Sequence, residues 1–222
     1  MSPDADDAAV VLDLYARTYQ GVALGADEYV ISADEKPSIQ ARDRCHATAP
    51  AGKGQALRVN HDYRRRGALA YLAAYDVRHG RVFGRCATAT GITAFTALVD
   101  HVMSQEPYAS ARRVFWIVDN RSTHRGQAAI DRLNTQYPNA IMVHTPVHAS
   151  WLNQVEIYFS IIQRKVLSPN DVADLDAVEQ RLLAFEDRYN ATAIPFKWKY
   201  TTTDLNRHLE RLDQHERATH AA

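Results

Sequence analysis

The first apolar pattern in the chain is helical. Val10, Val11, Leu14 and Tyr15 share a stripe, which predicts a helix over residues 5–20. Gly21 and Gly25 break it, and Tyr29-Val30-Ile31-Ser32-Ala33-Asp34 is a short β-rich run, the expected first strand. Residues 36–60 are rich in turn formers (Pro37, Pro50, Gly52, Gly54) and read as an irregular excursion. Leu69–Asp76 and Arg81–Ala87 flank Arg78-His79-Gly80 as a hairpin. The first arm is Ala-rich and helix-prone, but Tyr71, Leu72, Tyr75 and its short length favour a strand. Residues 93–105 form an amphipathic helix, with Phe95, Leu98, Val99 and Val102 on one stripe.

Val114-Phe115-Trp116-Ile117-Val118 is continuously apolar and ends at Asp119, the pattern of a central strand buried on both faces. Ser122 or Thr123 is expected to cap a helix running through Leu133. Residues 140–144 read as another strand, and Ser150 as the N-cap of a helix that must end before Pro169. Residues 176–189 form a last clear helix, with a short one expected over 205–212. Strands mixed with helices in this order predict one α/β domain with helices packed on a sheet.

Apolar residues make up 46% of the chain and charged residues 23%, as in a soluble globular protein. No apolar run is long enough to span a membrane, and the acidic N-terminus is unlike a signal peptide, so a cytoplasmic protein is expected. In that compartment Cys45 and Cys86 are expected as free thiols. The zero net charge counts against a nucleic-acid binder. The distribution softens that objection, because residues 34–66 hold eight basic residues against four acidic ones.

Three carboxylates stand out by position. Asp34 ends the first expected strand and Asp119 the most buried one; in open α/β sheets sites form outside such strand ends. Glu156 lies on a helix whose Leu152, Val155, Phe159, Ile162 and Val166 are apolar, within a polar stripe of Asn153, Glu156, Ser160 and Gln163. That helix is expected to be largely buried, where an ionised Glu is costly without a partner such as a metal ion. Carboxylates and water suit magnesium, and three of them can hold two ions about 4 Å apart. An Asp at a strand end is also a common turn or cap residue, and Asp76 is a rival whose other reading is a solvated hairpin residue.

Whole strings narrow these alternatives. Tyr29–Gln40 (YVISADEKPSIQ), Val118–His124 (VDNRSTH) and His144–Glu156 (HTPVHASWLNQVE) resemble, in order, the three catalytic segments of bacterial insertion-sequence transposases related to the Tc/mariner superfamily. The catalytic domain of that family is a DDE superfamily endonuclease. The resemblance implies a ribonuclease-H-like mixed sheet flanked by helices and a triad of Asp34, Asp119 and Glu156, the last two 37 positions apart. It further implies two Mg2+ ions, with Mn2+ as a substitute, acting on double-stranded DNA at element ends and target. The implied reaction is cleavage at the element ends followed by strand transfer of the 3′-hydroxyl. It places the protein at the bacterial nucleoid, with no membrane partner, and leaves room for a homodimer.

Residues 1–26 then read as a helical lead-in and 27–222 as the catalytic domain, with the family's upstream helix-turn-helix domains absent. Two other functions stay open: an inactive truncated transposase acting as an interaction or inhibitory module, and a ribonuclease-H-type nuclease. Around the triad, Asn120, His124 and Asn153 are candidates to orient phosphate or carboxylate. Lys36 and Arg64-Arg65-Arg66 are candidate DNA contacts, a solvated basic turn being the other reading of the arginines. His144 and His148 read as loop residues, since nothing completes a zinc-like spacing, and Trp151 as a core anchor rather than a base-stacking platform.

Overall fold

A computed structural model describes residues 3–46, 49–58, 62–119, 127–146, 149–168, 171–207 and 210–211. Helix α1 (Pro3–Tyr15) buries Ala8, Val11, Leu12 and Leu14. It ends earlier than its apolar stripe suggested, because a tiny hairpin follows, β1 (Thr18–Tyr19) and β2 (Val22–Ala23), turned through Gln20 and Gly21 at positive φ.

Then come β3 (Glu28–Arg44), β4 (Tyr63–Asp76) and β5 (Val82–Ala87), helix α2 (Ile92–Met103) and β6 (Arg113–Val118). Helix α3 (Gln127–Gln136), β7 (Ala140–His144), a 3-10 turn (Ser150–Leu152), α4 (Val155–Lys165) and α5 (Leu175–Ala191) complete the order. The large sheet has strand order β5-β4-β3-β6-β7, antiparallel on the β5-β4-β3 side and parallel from β3 through β6 to β7.

Two apolar layers sandwich this sheet. On one face Ile31, Ala33, Leu72, Ala74 and Trp116 pack with Leu98, Val99 and Val102 of α2. On the other, Tyr71, Ala73 and Tyr75 meet Tyr158, Phe159 and Ile162 of α4 and Leu182 of α5, while Val30, Phe115 and Ile117 meet α1 and Leu152. The Ala-rich arm of β4 is a strand despite its helix propensity. Both its faces are covered, and small side chains let the helices approach while the ladders to β3 and β5 satisfy its backbone.

The largest departure from the pattern reading is β3. It runs to Arg44 rather than ending at Asp34, and pairs with β4 up to Arg44↔Tyr63. Register shifts fall between Lys36 and Ile39 and between Gln40 and Arg42, and Pro37 sits in the first. The shift inverts the alternation: Ile31 and Ala33 face the α2 layer, whereas Ile39 and Ala41 face the α4 layer. A strand that changes face halfway shows no continuous period of two, so its outer half looks irregular in sequence.

Ser150 does not cap a helix. It opens the 3-10 turn, and α4 begins at Val155. The caps expected at Ser122 or Thr123 lie outside the described residues. Helix α5 starts one residue before the expected span and is capped by Asp174, which accepts a hydrogen bond from the amide of Ala177 at 2.8 Å. Residues 202–207 are helical. Cys45 and Cys86 are free thiols, and burial pushes the Cys86 thiol up to about 12. No helix among the described residues is long and apolar enough to cross a membrane.

Candidate functional site

Strands β3 and β6 run side by side in register, and their last ladder pair is Ser32↔Ile117. Two residues beyond that pair stand Asp34, still within β3, and Asp119, the first residue past the end of β6. Neighbouring strands are about 4.8 Å apart and paired residues point to the same face, so these two carboxylates emerge together. Val30 and Ser32 on β3, and Phe115 and Ile117 on β6, mark that face as the one covered by α1, the 3-10 turn and α4. Asp34 is 3% exposed and Asp119 9%. Asp34 lies mid-strand, not at a strand end; it is the end of the neighbouring β6 that opens space beside it. Its antiparallel partner on β4 is Ala73, whose small side chain leaves room on the same face.

The start of α4 is fastened directly to this point. The Ser32 hydroxyl donates to Asn153 Oδ1 and accepts from the amide of Val155 at 2.9 Å. Asn153 Nδ2 donates to the carbonyl of Ala33 at 2.9 Å. From the other side, the Tyr15 hydroxyl donates to the Leu152 carbonyl at 2.6 Å and accepts from the Gln154 amide at 3.3 Å. Burial raises the Tyr15 phenol above its ordinary value, so it stays protonated and keeps donating. Glu156 is the next residue after Val155, in the first turn of α4, where the helix dipole favours an anion.

Glu156 is exposed, as is Ile157, while Val155, Tyr158, Phe159 and Ile162 are buried. The expectation of a largely buried helix is therefore corrected. Two of the faces read as covered are open, and Glu156 stands at the mouth of the site. It lines a cavity of about 380 Å³ together with Lys36, Gln163 and Arg164. Among the described residues, no three His, Cys, Asp or Glu side chains are gathered closely enough to hold a metal ion together. The donor set still suits a hard divalent cation. Two buried carboxylates at neighbouring positions repel each other when both are ionised, and an oxygen-ligated Mg2+ or Mn2+ would offset that repulsion.

The other sequence candidates divide. Asn153 is buried and holds the turn to β3, bonding Ser32 and Ala33. Lys36 is on the site's face, paired across to Tyr71. Arg64, Arg65 and Arg66 are exposed strand residues at the far end of β4, not a turn. Arg65 is eight residues from Ala73, roughly 25 Å of strand away from Asp34. Arg66 pairs with Asp43 at 2.9 Å. Asn120, His124 and His148 lie outside the described residues.

His144 is the last residue of β7, not a loop residue, and registers with Val118, whose face is opposite that of Asp119. Asp76 is fully buried rather than solvated. Its carboxylate accepts from the amides of Arg78 (2.9 Å) and His79 (3.0 Å) and from the Tyr108 hydroxyl (2.6 Å), so it organises the hairpin turn. Trp151 is 52% exposed and meets Tyr200 edge-on at 5.0 Å, which corrects its reading as a core anchor.

Sequence reasoning missed Ser32 and Glu35. Ser32 is a polar residue at an inward position between Val30 and Asp34, which was the available signal. Glu35 is buried on the opposite face and accepts from the amide of Gly91, the residue before α2, at 3.3 Å.

Solved structures share this architecture. A pre-cleavage Mos1 transpososome is 14% identical with a TM-score of 0.57, over 95% of this chain and 58% of that one. The Mos1 transposase catalytic domain with raltegravir and Mn is 13% identical with a TM-score of 0.56, over 86% of this chain and 81% of that one. The Mos1 mariner paired end complex with Mg is 13% identical with a TM-score of 0.55, over 83% and 54%. The chain thus spans less than two thirds of the Mos1 chain in the transpososome. At these identities the likeness establishes the fold, a ribonuclease-H-like mixed sheet flanked by helices. No curated protein sequence matches the chain. A family model described as DDE superfamily endonuclease matches residues 29–179, from the start of β3 into α5, which takes in Asp34, Asp119 and Glu156. The protein belongs to the DDE superfamily endonucleases.

Proposed function

We propose that residues 27–222 are the catalytic domain of a transposase, cutting DNA at the ends of a mobile element and joining the freed 3′-hydroxyl to target DNA. Residues 1–26 are its helical lead-in, and the element belongs among bacterial insertion sequences. The observation that supports this reading best is the parallel register that brings Asp34 beside Asp119, with Glu156 one residue beyond the Ser32–Val155 bond.

Asp34 and Asp119 are the fixed ligands, and Glu156, at the mouth, is the third. These residues would hold two Mg2+ or Mn2+ ions, whose chemistry there would be to activate an oxygen nucleophile at neutral pH and to offset charge on the leaving 3′-oxygen. The chain contributes the positions. Buried β3 and β6 hold the two aspartates without reorganisation, and the clamp from Ser32 and Asn153 sets how α4 presents Glu156. Lys36, which lines the same cavity as Glu156, contacts a phosphate of the bound DNA, and Asn120 and His124 are kept as orienting groups.

A second reading has its own observation. Glu156 is exposed and not gathered with the aspartates, as expected of an inactive module that binds other transposase subunits. One assay separates the readings: labelled duplex DNA and an RNA–DNA hybrid, each incubated with the chain and Mg2+ or Mn2+. The transposase reading expects metal-dependent DNA nicking that falls about a thousandfold in Asp119→Asn, since loss of an ion removes several kcal/mol of transition-state stabilisation. Absent cleavage with retained binding to a full-length transposase would establish the inactive module. Cutting of the hybrid's RNA strand alone would establish a ribonuclease.

A further inference from the structure

The first family-like string runs on past Asp34 to Gln40, two residues short of Arg42, yet the triad uses only Asp34 from it. The structure gives the remainder a place. Beside the Glu156 cavity lies a second one of about 300 Å³, between the outer half of β3 and the end of α4. The two share Lys36 and Gln163, so they form one trough leading away from the carboxylates. Lys36, Arg42 and Arg164 line it, and Glu156, at its inner end, is the one acidic residue among its lining residues. Ser38, Gln40 and Gln163 add neutral hydrogen-bonding groups.

The backbone there departs from a plain strand. Ser38 has φ 57° within the Lys36–Ile39 register shift. A non-glycine residue in the left-handed region is strained, and such strain and bulges concentrate where a strand must re-aim side chains at a ligand. A groove of spaced cations and neutral donors, ending at carboxylates, matches a chain of phosphates leading to a reacting bond.

Resting on the reading of this domain as one that cuts DNA, we propose that the trough binds the sugar–phosphate backbone of the DNA strand leading to the cleaved bond, with Arg164 and Arg42 as phosphate contacts beyond Lys36. The contacts are to backbone, so they position the strand without reading its sequence.

The test is binding of the full chain to labelled random-sequence duplex DNA over a range of KCl, with Ca2+ as the divalent ion. Arg164→Ala and Arg42→Ala are each expected to lower the slope of log K against log[KCl] by about 1, and to weaken binding alike on unrelated sequences. Arg188→Ala is the comparison. It lies in a separate basic cleft with Lys165 and Arg181 along α5, and is expected to leave the slope unchanged. Circular dichroism confirms folding of each variant. Unchanged slopes in both trough variants overturn the proposal. So does an equal drop in Arg188→Ala, which would route the DNA along α5, and so does a parent chain that does not bind. A parent that binds with the expected slope but never cleaves in Mg2+ overturns the catalytic reading and leaves the trough as a DNA-binding groove.

Discussion

The two halves of β3 are built on opposite terms. From Glu28 to Glu35 every residue is buried and both faces are covered, with β6 paired along Glu28–Ser32 and β4 from Ile31 onward. From Lys36 to Arg44 the strand pairs with β4 alone, shifts register twice, changes face, and exposes Pro37, Ser38 and Arg42. Asp34 sits two residues inside that boundary. A ligand for a cation needs positional precision, which close packing gives; a surface that follows a polymer needs charge and reach, which open edges give. Putting the carboxylate just inside the boundary and the cations just outside it lets one strand serve both.

If the inner half owes its rigidity to packing, removing the largest side chain packed beside it, the one paired with Ile31, should cost most. Trp116, fully buried on β6 and edge-on to Phe95 at 6.2 Å, is the choice. Trp116→Ala is expected to lose about 3–5 kcal/mol of unfolding free energy, read from urea denaturation. A loss below 1 kcal/mol would mean the inner half is not the rigid element described here. Next comes the joint between helix and strand. Asn153→Ala leaves the Ala33 carbonyl and the Ser32 hydroxyl each short of a partner in the interior, for a loss of about 1–3 kcal/mol. It should also lower the cleavage rate at saturating DNA more than it weakens DNA binding, because it disturbs how Glu156 is presented; a pure stability loss with an intact rate would assign Asn153 to folding alone. The smallest effect belongs to the outer half. Arg66→Ala breaks only the exposed pair with Asp43 and should change stability by less than about 1 kcal/mol.

The same contrast explains what could be read from the chain. Residues 114–118 are a continuous apolar run because both faces of β6 are covered, so it was legible as a buried strand; the shorter apolar run at 140–143 was legible as a strand, though β7 lies at the sheet edge and only Ala140 of it is fully buried. The α2 stripe of Phe95, Leu98, Val99 and Val102 was equally plain, since one covered face writes one period. The order of Asp34, Asp119 and Glu156 was visible in the family-like strings. The outer half of β3 was not visible, because a bulge that swaps faces erases the period of two. The exposure of Glu156 was not visible either: periodicity shows that α4 has an apolar face but not how far neighbours wrap around it. The clamp of Ser32 on Asn153 joins residues 121 positions apart, and nothing local marks such a pair.

In the proposed mechanism Asp34 and Asp119 share a divalent ion whose coordination Glu156 completes. Crystals of the chain soaked in Mn2+ test it through the anomalous signal of the metal. The expected result is a peak within coordination distance of both aspartates, with the Glu156 side chain turned toward it, and no peak at that place in Asp119→Asn. Manganese bound only elsewhere, or no peak beside the two aspartates at saturating Mn2+, would contradict it.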